Sequence, residues 1–115
     1  MPEMYLLIVE EMKALGIPFA ENAWTTRPDS SDYGVISKDF ENEADDGENR
    51  KQERSWSCSV DLFSRDKYGD GIPEQIEAIL DEYCGSSWEA SGPTWEHETR
   101  LFHFEWTFDV DSEEV

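Results

Sequence analysis

Apolar and polar residues alternate along the end of the chain. From Phe102 to Val110, Phe102, Phe104, Trp106, Phe108 and Val110 fall on one side of a period of two, and His103, Glu105, Thr107 and Asp109 on the other. Side chains two apart share a face of a strand, so this pattern predicts a half-buried strand with an aromatic inner surface. Read as one element, it extends back to Thr94. A surface this apolar needs a cover, and a strand this long needs partners. The rest of the chain supplies both. Tyr33 to Phe40 reads as a strand, paired in a hairpin with Arg54 to Phe63, where Trp56, Cys58, Val60 and Leu62 alternate with Ser55, Ser57, Ser59 and Asp61. Ile17-Pro18-Phe19-Ala20 reads as a short edge piece, because Pro18 lacks an N–H. A short strand is expected around Trp88.

Two stretches change period. From Glu3 to Leu15, Met4, Leu7, Ile8, Met12 and Leu15 recur at helical spacing, and Gly16 suits the C-terminal cap. Pro73 opens a second helix at a position where its missing N–H costs nothing; Ile76, Ile79, Leu80 and Tyr83 form its apolar stripe, and Gly85 stops it. The predicted fold is α+β in two layers. A mostly antiparallel sheet of about four or five strands carries both helices on one face.

Composition adds the size and the charge. The 115 residues make one domain. Its 28 acidic and 9 basic side chains give a net charge of -19. Such a charge repels phosphates and anionic membranes, which argues against direct nucleic-acid binding. No apolar run approaches a membrane span, and Glu10 and Glu11 interrupt the first apolar stretch, so no signal peptide is expected. The acid is concentrated in a segment from Glu41 to Glu53 that includes Glu43, Asp45, Asp46 and Glu48. With one small apolar residue it cannot join a core, and it reads as a flexible hairpin loop. Residues 111–115 read as a short acidic tail. Asn22 to Asp32 reads as a loop, with Trp24 either a lid on the core or a contact for another subunit.

Candidate chemistry is thin. Asp66, Asp70, Gly71 and Glu77 occupy positions one, five, six and twelve of a calcium-type loop. Tyr68 stands at the third position and Pro73 at the eighth, so the plainer reading is a strand-to-helix turn. His97 and His103, placed on one strand face, would lie about 20 Å apart and could not share a metal. Cys58 and Cys84 show no paired spacing and read as reduced, packed thiols. No nucleophile–base pair and no phosphate loop is recognisable, so neither catalysis nor a cofactor is expected.

Several phrases carry a resemblance. Leu15-Gly16-Ile17-Pro18-Phe19-Ala20 follows the first helix, and Val60-Asp61-Leu62-Phe63-Ser64 ends a strand. Pro73-Glu74-Gln75-Ile76-Glu77-Ala78-Ile79-Leu80 opens the second helix. With the order of elements, over residues 4–110, they resemble the small minor capsid, tail-terminator and head–tail joining proteins of long-tailed phages and Gram-positive prophages. The resemblance implies a small α+β subunit of a ring, typically hexameric. Such a ring sits in the virion at the head end of the tail, after assembly in the host cytoplasm. It stops growth of the tail tube and joins it to the head connector or neck. Its partners would be copies of itself, the tail-tube protein and the connector, with DNA passing through. Trp24, Trp88 and Trp95 would then be candidate subunit contacts, since aromatics are enriched at interfaces. The acidic loop would lie between subunits or in the channel. Two other readings suit the composition: an acidic mimic of DNA that inhibits a DNA-binding protein, and a calcium-dependent binding module.

Overall fold

Strand β3 (Ser55–Ser64) and strand β5 (Leu101–Asp111) run antiparallel down the middle of a five-stranded sheet. A computed structural model describes residues 3–24, 32–42 and 55–111. The remaining elements are helix α1 (Glu3–Lys13), strands β1 (Phe19–Glu21) and β2 (Asp32–Asn42), helix α2 (Ile72–Cys84) and strand β4 (Trp88–Glu96). The sheet order is β1-β2-β3-β5-β4, antiparallel throughout except that β1 joins β2 parallel. The fold is thus the expected α+β domain.

The alternation in β3 and β5 sets the core. Cys58, Val60 and Leu62 face the same side as Phe104, Trp106, Phe108 and Val110, and all are buried. Both helices cover that side. Helix α2 contributes Ile72, Pro73, Ile76, Ile79 and Leu80. It begins where Pro73 is harmless and ends at Gly85, whose N–H bonds the Asp81 carbonyl. Helix α1 differs from expectation in its rotation. Its seam is Tyr5, Ile8, Val9 and Met12, spaced i, i+3, i+4 and i+7, while Leu7 is 42% exposed. The Tyr5 hydroxyl donates to Glu21 at 3.3 Å and fixes this rotation.

The C-terminal region differs more. The stretch from Thr94 to Val110 is not one strand. Thr94 to Glu96 end β4, residues 97–100 turn, and β5 begins at Leu101. The short strand expected near Trp88 is therefore nine residues long and forms a hairpin with β5. The Arg100 N–H bonds the Glu96 carbonyl and closes the turn, with Arg100 at positive φ. In the run 96–100 the positions in phase with Phe102 are Glu96, Glu98 and Arg100, and there the chain reverses.

Strand β2 extends through Glu41 and Asn42, which pair with Trp56 and Ser55. The expected acidic loop therefore starts later than Glu41. Its Glu43, Asp45, Asp46, Glu48 and Glu53 lie outside the described residues. Asp111 belongs to β5, and the rest of the acidic tail also lies outside them. No helix among the described residues is long and apolar enough to cross a membrane.

Candidate functional site

The sheet face opposite the helices carries the most organised polar cluster. Register places Tyr33 of β2, Phe63 of β3 and His103 of β5 in one row. Tyr33 stacks on Phe63 at 5.0 Å between ring centres, and Phe63 on His103 at 4.5 Å. Trp24 meets Tyr33 edge-on at 6.4 Å. The Trp24 indole N–H donates to the Gly34 carbonyl at 3.0 Å and pins the ring against the sheet. Trp24 is thus half-buried as a lid, but over the outer face and not over the main core.

His103 sits between two carboxylates. Its Nε2 lies 2.7 Å from Asp61 Oδ1 on β3, and its Nδ1 lies 2.9 Å from Glu96 Oε2 on β4. The Thr99 hydroxyl donates to the other Glu96 oxygen at 3.1 Å. The hydrogen bond to Asp61 is the chief cause that raises the His103 pKa. The charges of Asp61 and Glu96 and the second hydrogen bond add to it, and partial burial opposes. A carboxylate oxygen within hydrogen-bond distance of each ring nitrogen favours the doubly protonated ring, in which both nitrogens donate. Both of its nitrogens are engaged by carboxylates of neighbouring strands. What it does is bind three strands together.

The sign of the pH effect follows from the raised value. The contribution of His103 to stability is fully present below about pH 6.5, the ordinary histidine pKa, and is lost as pH rises through the raised folded value. His103→Gln removes the charge and leaves Asp61 and Glu96 facing each other. A loss of about 1–3 kcal/mol is expected, in the range for breaking a partly desolvated ion pair. Urea unfolding at several pH values checks it. The gap between wild type and variant should be widest below about pH 6.5 and narrow above the folded pKa; a gap independent of pH would contradict the assignment.

Beside this cluster lies a groove of about 450 Å³, lined by Trp24, Tyr33, Val35, Phe63, Asp61 and Glu96 among others. A second hollow of about 550 Å³ lies at the other end of the central strands, with Asp39, Ser57, Cys58, Trp88, Phe108 and Asp109 in its walls. Ser57 donates to Asp109 there at 3.3 Å. Burial pushes the Cys58 thiol up to about 12 and the Cys84 thiol to about 11, so neither is a nucleophile at neutral pH. Both are free thiols.

The residues singled out from sequence are dispersed. Trp88 belongs to the helix-covered face, where its N–H donates to Asp81 at 2.8 Å. Trp95, 45% exposed on the edge strand, touches Phe102 at 5.0 Å. Trp24, Trp88 and Trp95 therefore form no single patch. In the calcium-like loop, Asp66 Oδ2 accepts the N–H groups of Tyr68 and Asp70, both at 2.9 Å. Glu77 instead accepts the Trp106 N–H at 2.9 Å, turned toward the core. Among the described residues no three His, Cys, Asp or Glu side chains gather as a metal site. His97 lies in the turn, not on a strand with His103. The Asp61–His103–Glu96 cluster is invisible at sequence level, since it needs the hairpin turn and the β3–β5 register. The one hint was the break of alternation in Glu96-His97-Glu98-Thr99-Arg100.

No protein-family model matches this chain, and a comparison with curated proteins finds no match.

Proposed function

We propose that this protein is a structural component of a phage virion. It is a ring subunit at the head-proximal end of a long tail, where it ends tail-tube growth and joins the tube to the head connector. The observation that carries the reading is the two-layer α+β domain with helices on one sheet face only. The opposite face is left without a helical cover among the described residues, and β4 stands at the sheet edge. Subunits of a closed ring need such surfaces for their neighbours. The net charge of -19 supports it as well, because an acidic ring repels the DNA that passes through it. The partners are copies of itself, the tail-tube protein and the connector.

Electron microscopy of particles assembled without this gene tests the proposal. Overlong tails, or filled heads separated from tails, are the expected result. Normal infectious particles would overturn it, and capture of a DNA-binding enzyme would then favour the acidic DNA-mimic reading.

A further inference from the structure

The half of the outer face away from the aromatic row is polar and acidic. Strand register sets Ser59 of β3 opposite Thr107 of β5, and Thr107 opposite Glu89 of β4. Two residues along the strands in one direction, Asp61 faces Glu105; two residues in the other, Ser57 faces Asp109. Carboxylates thus frame a pair of hydroxyls. Asp39 joins them from a bulge. Strand β2 shifts register against β3 between Lys38 and Phe40, and Asp39 is the extra residue there. It lines the hollow of about 550 Å³ together with Glu89 and Asp109. Bulges commonly re-aim a side chain beside a functional site.

The frame has no internal counter-charge. Strands β3, β4 and β5 contain no lysine or arginine. His103 is already bonded to Asp61 and Glu96. Asp39, Glu89 and Glu105 make no hydrogen bond or ion pair among the described residues, and Asp109 accepts one, from Ser57. Like charges directly opposite on a sheet are destabilising, and Asp61–Glu105 is such a pair. Ser59 is left incomplete as well. It is only 8% exposed, yet its hydroxyl makes no hydrogen bond among the described residues. No sealed side-chain N or O atom among them lacks a partner, so the Ser59 oxygen keeps its access from this face.

We propose that this half-face is a docking surface for a basic segment of a partner protein, which seats a lysine ammonium over Ser59 and Thr107 among Glu89, Glu105 and Asp109. An ammonium is a compact charge with three donors and no preferred plane, so it suits hydroxyl and carboxylate oxygens gathered around a point. Glu105 and Asp109 each stand diagonally across from Glu89, about 7–8 Å away, and a cation between them relieves their repulsion. The molecule's charge of -19 draws a basic segment in over long range. The same half-face of a second copy would bring like charges together, so the occupant is a chain of opposite charge. This inference does not depend on the ring reading, since a lysine-bearing partner fits the surface whatever the assembly that carries it.

The test is an amide NMR titration of the intact protein, at physiological salt, with a short blocked peptide of alternating glycine and lysine. Shifts confined to the half-face, at Ser59, Glu89, Glu105, Thr107 and Asp109, are expected. The same peptide with acetylated lysines should give none, and its arginine counterpart should bind more weakly. Glu89→Gln combined with Glu105→Gln should weaken binding by about fivefold or more. Ser59→Ala keeps the net charge and should weaken it by about threefold or more. Dispersed spectra show that the fold of each variant is intact. Glu74→Gln combined with Glu82→Gln removes the same charge from helix α2 and should leave the affinity within about twofold. Equal losses from the two charge-removing pairs, or equal binding of the lysine and arginine peptides, would mean attraction by net charge alone and overturn the proposal. So would shifts scattered over the surface, or no shift at all.

Discussion

Trp106→Ala is expected to remove a large part of the domain's stability at room temperature. Trp106 is 2% exposed and one of the largest fully buried side chains, at the centre of the sheet face beneath both helices. It stacks in parallel with Phe104 at 6.1 Å. Emptying such a site costs about 3–5 kcal/mol, because the surroundings collapse only in part. The indole N–H also donates to Glu77 Oε2 at 2.9 Å, so truncation takes a donor from a half-buried carboxylate. A domain of this size has about 5–15 kcal/mol in total. Trp106→Phe keeps most of the volume and loses the donor, so a loss of about 1–3 kcal/mol is expected. Urea midpoints of the two variants separate cavity from hydrogen bond. Equal midpoints for alanine and phenylalanine would show that packing at this position is not what holds the sheet to the helices.

Gly92→Ala is the second large effect, and it acts through the backbone. Gly92 lies in β4 at φ +97°, between Ser91 and Thr94, where the register with β5 shifts. A Cβ there would sit 2.6 Å from the His103 carbonyl oxygen and 3.4 Å from Phe104 Cα. The first contact is backbone and cannot rotate away. An alanine therefore meets both a disfavoured φ and a clash, and a loss of about 2–4 kcal/mol is expected. The damage should be local first. Amide exchange in β4 should rise well before that in β3, and the Glu96–His103 contact should weaken as the hairpin opens. An unchanged urea midpoint would contradict the tight approach of the two strands.

The parts of the fold legible in the sequence were those with an unambiguous period. The alternation in residues 55–63 and 102–110 assigned the inner and outer faces correctly, and Pro73 and Gly85 bracketed α2. Helix α1 was harder. Leu6, Leu7, Ile8 and Val9 are four consecutive apolar residues, so more than one stripe fits the helical spacing. The choice of Tyr5 over Leu7 is made by tertiary contact. The β4–β5 hairpin was hidden because residues 97–100 contain neither Gly nor Pro to mark a turn, although Trp95 is out of phase with the aromatic face of the next strand. The polar cluster was beyond reach for a different reason. Asp61 and His103 are 42 residues apart and meet only through strand register. No local pattern encodes that pairing, and a lone histidine among carboxylates is unremarkable in a chain this acidic.

The sheet order also has a consequence in time. Strands β2 and β3 are neighbours in sequence, as are β4 and β5, and each pair can zip early. The β3–β5 pairing joins the two pairs across a connection that contains α2 and β4. Closing that longer loop is the slow, non-local step. Everything that spans the seam waits for it, including the Asp61–His103 contact. A chain still in the process of folding therefore presents only half of the outer face. The histidine held between Asp61 and Glu96 marks a chain that has finished folding.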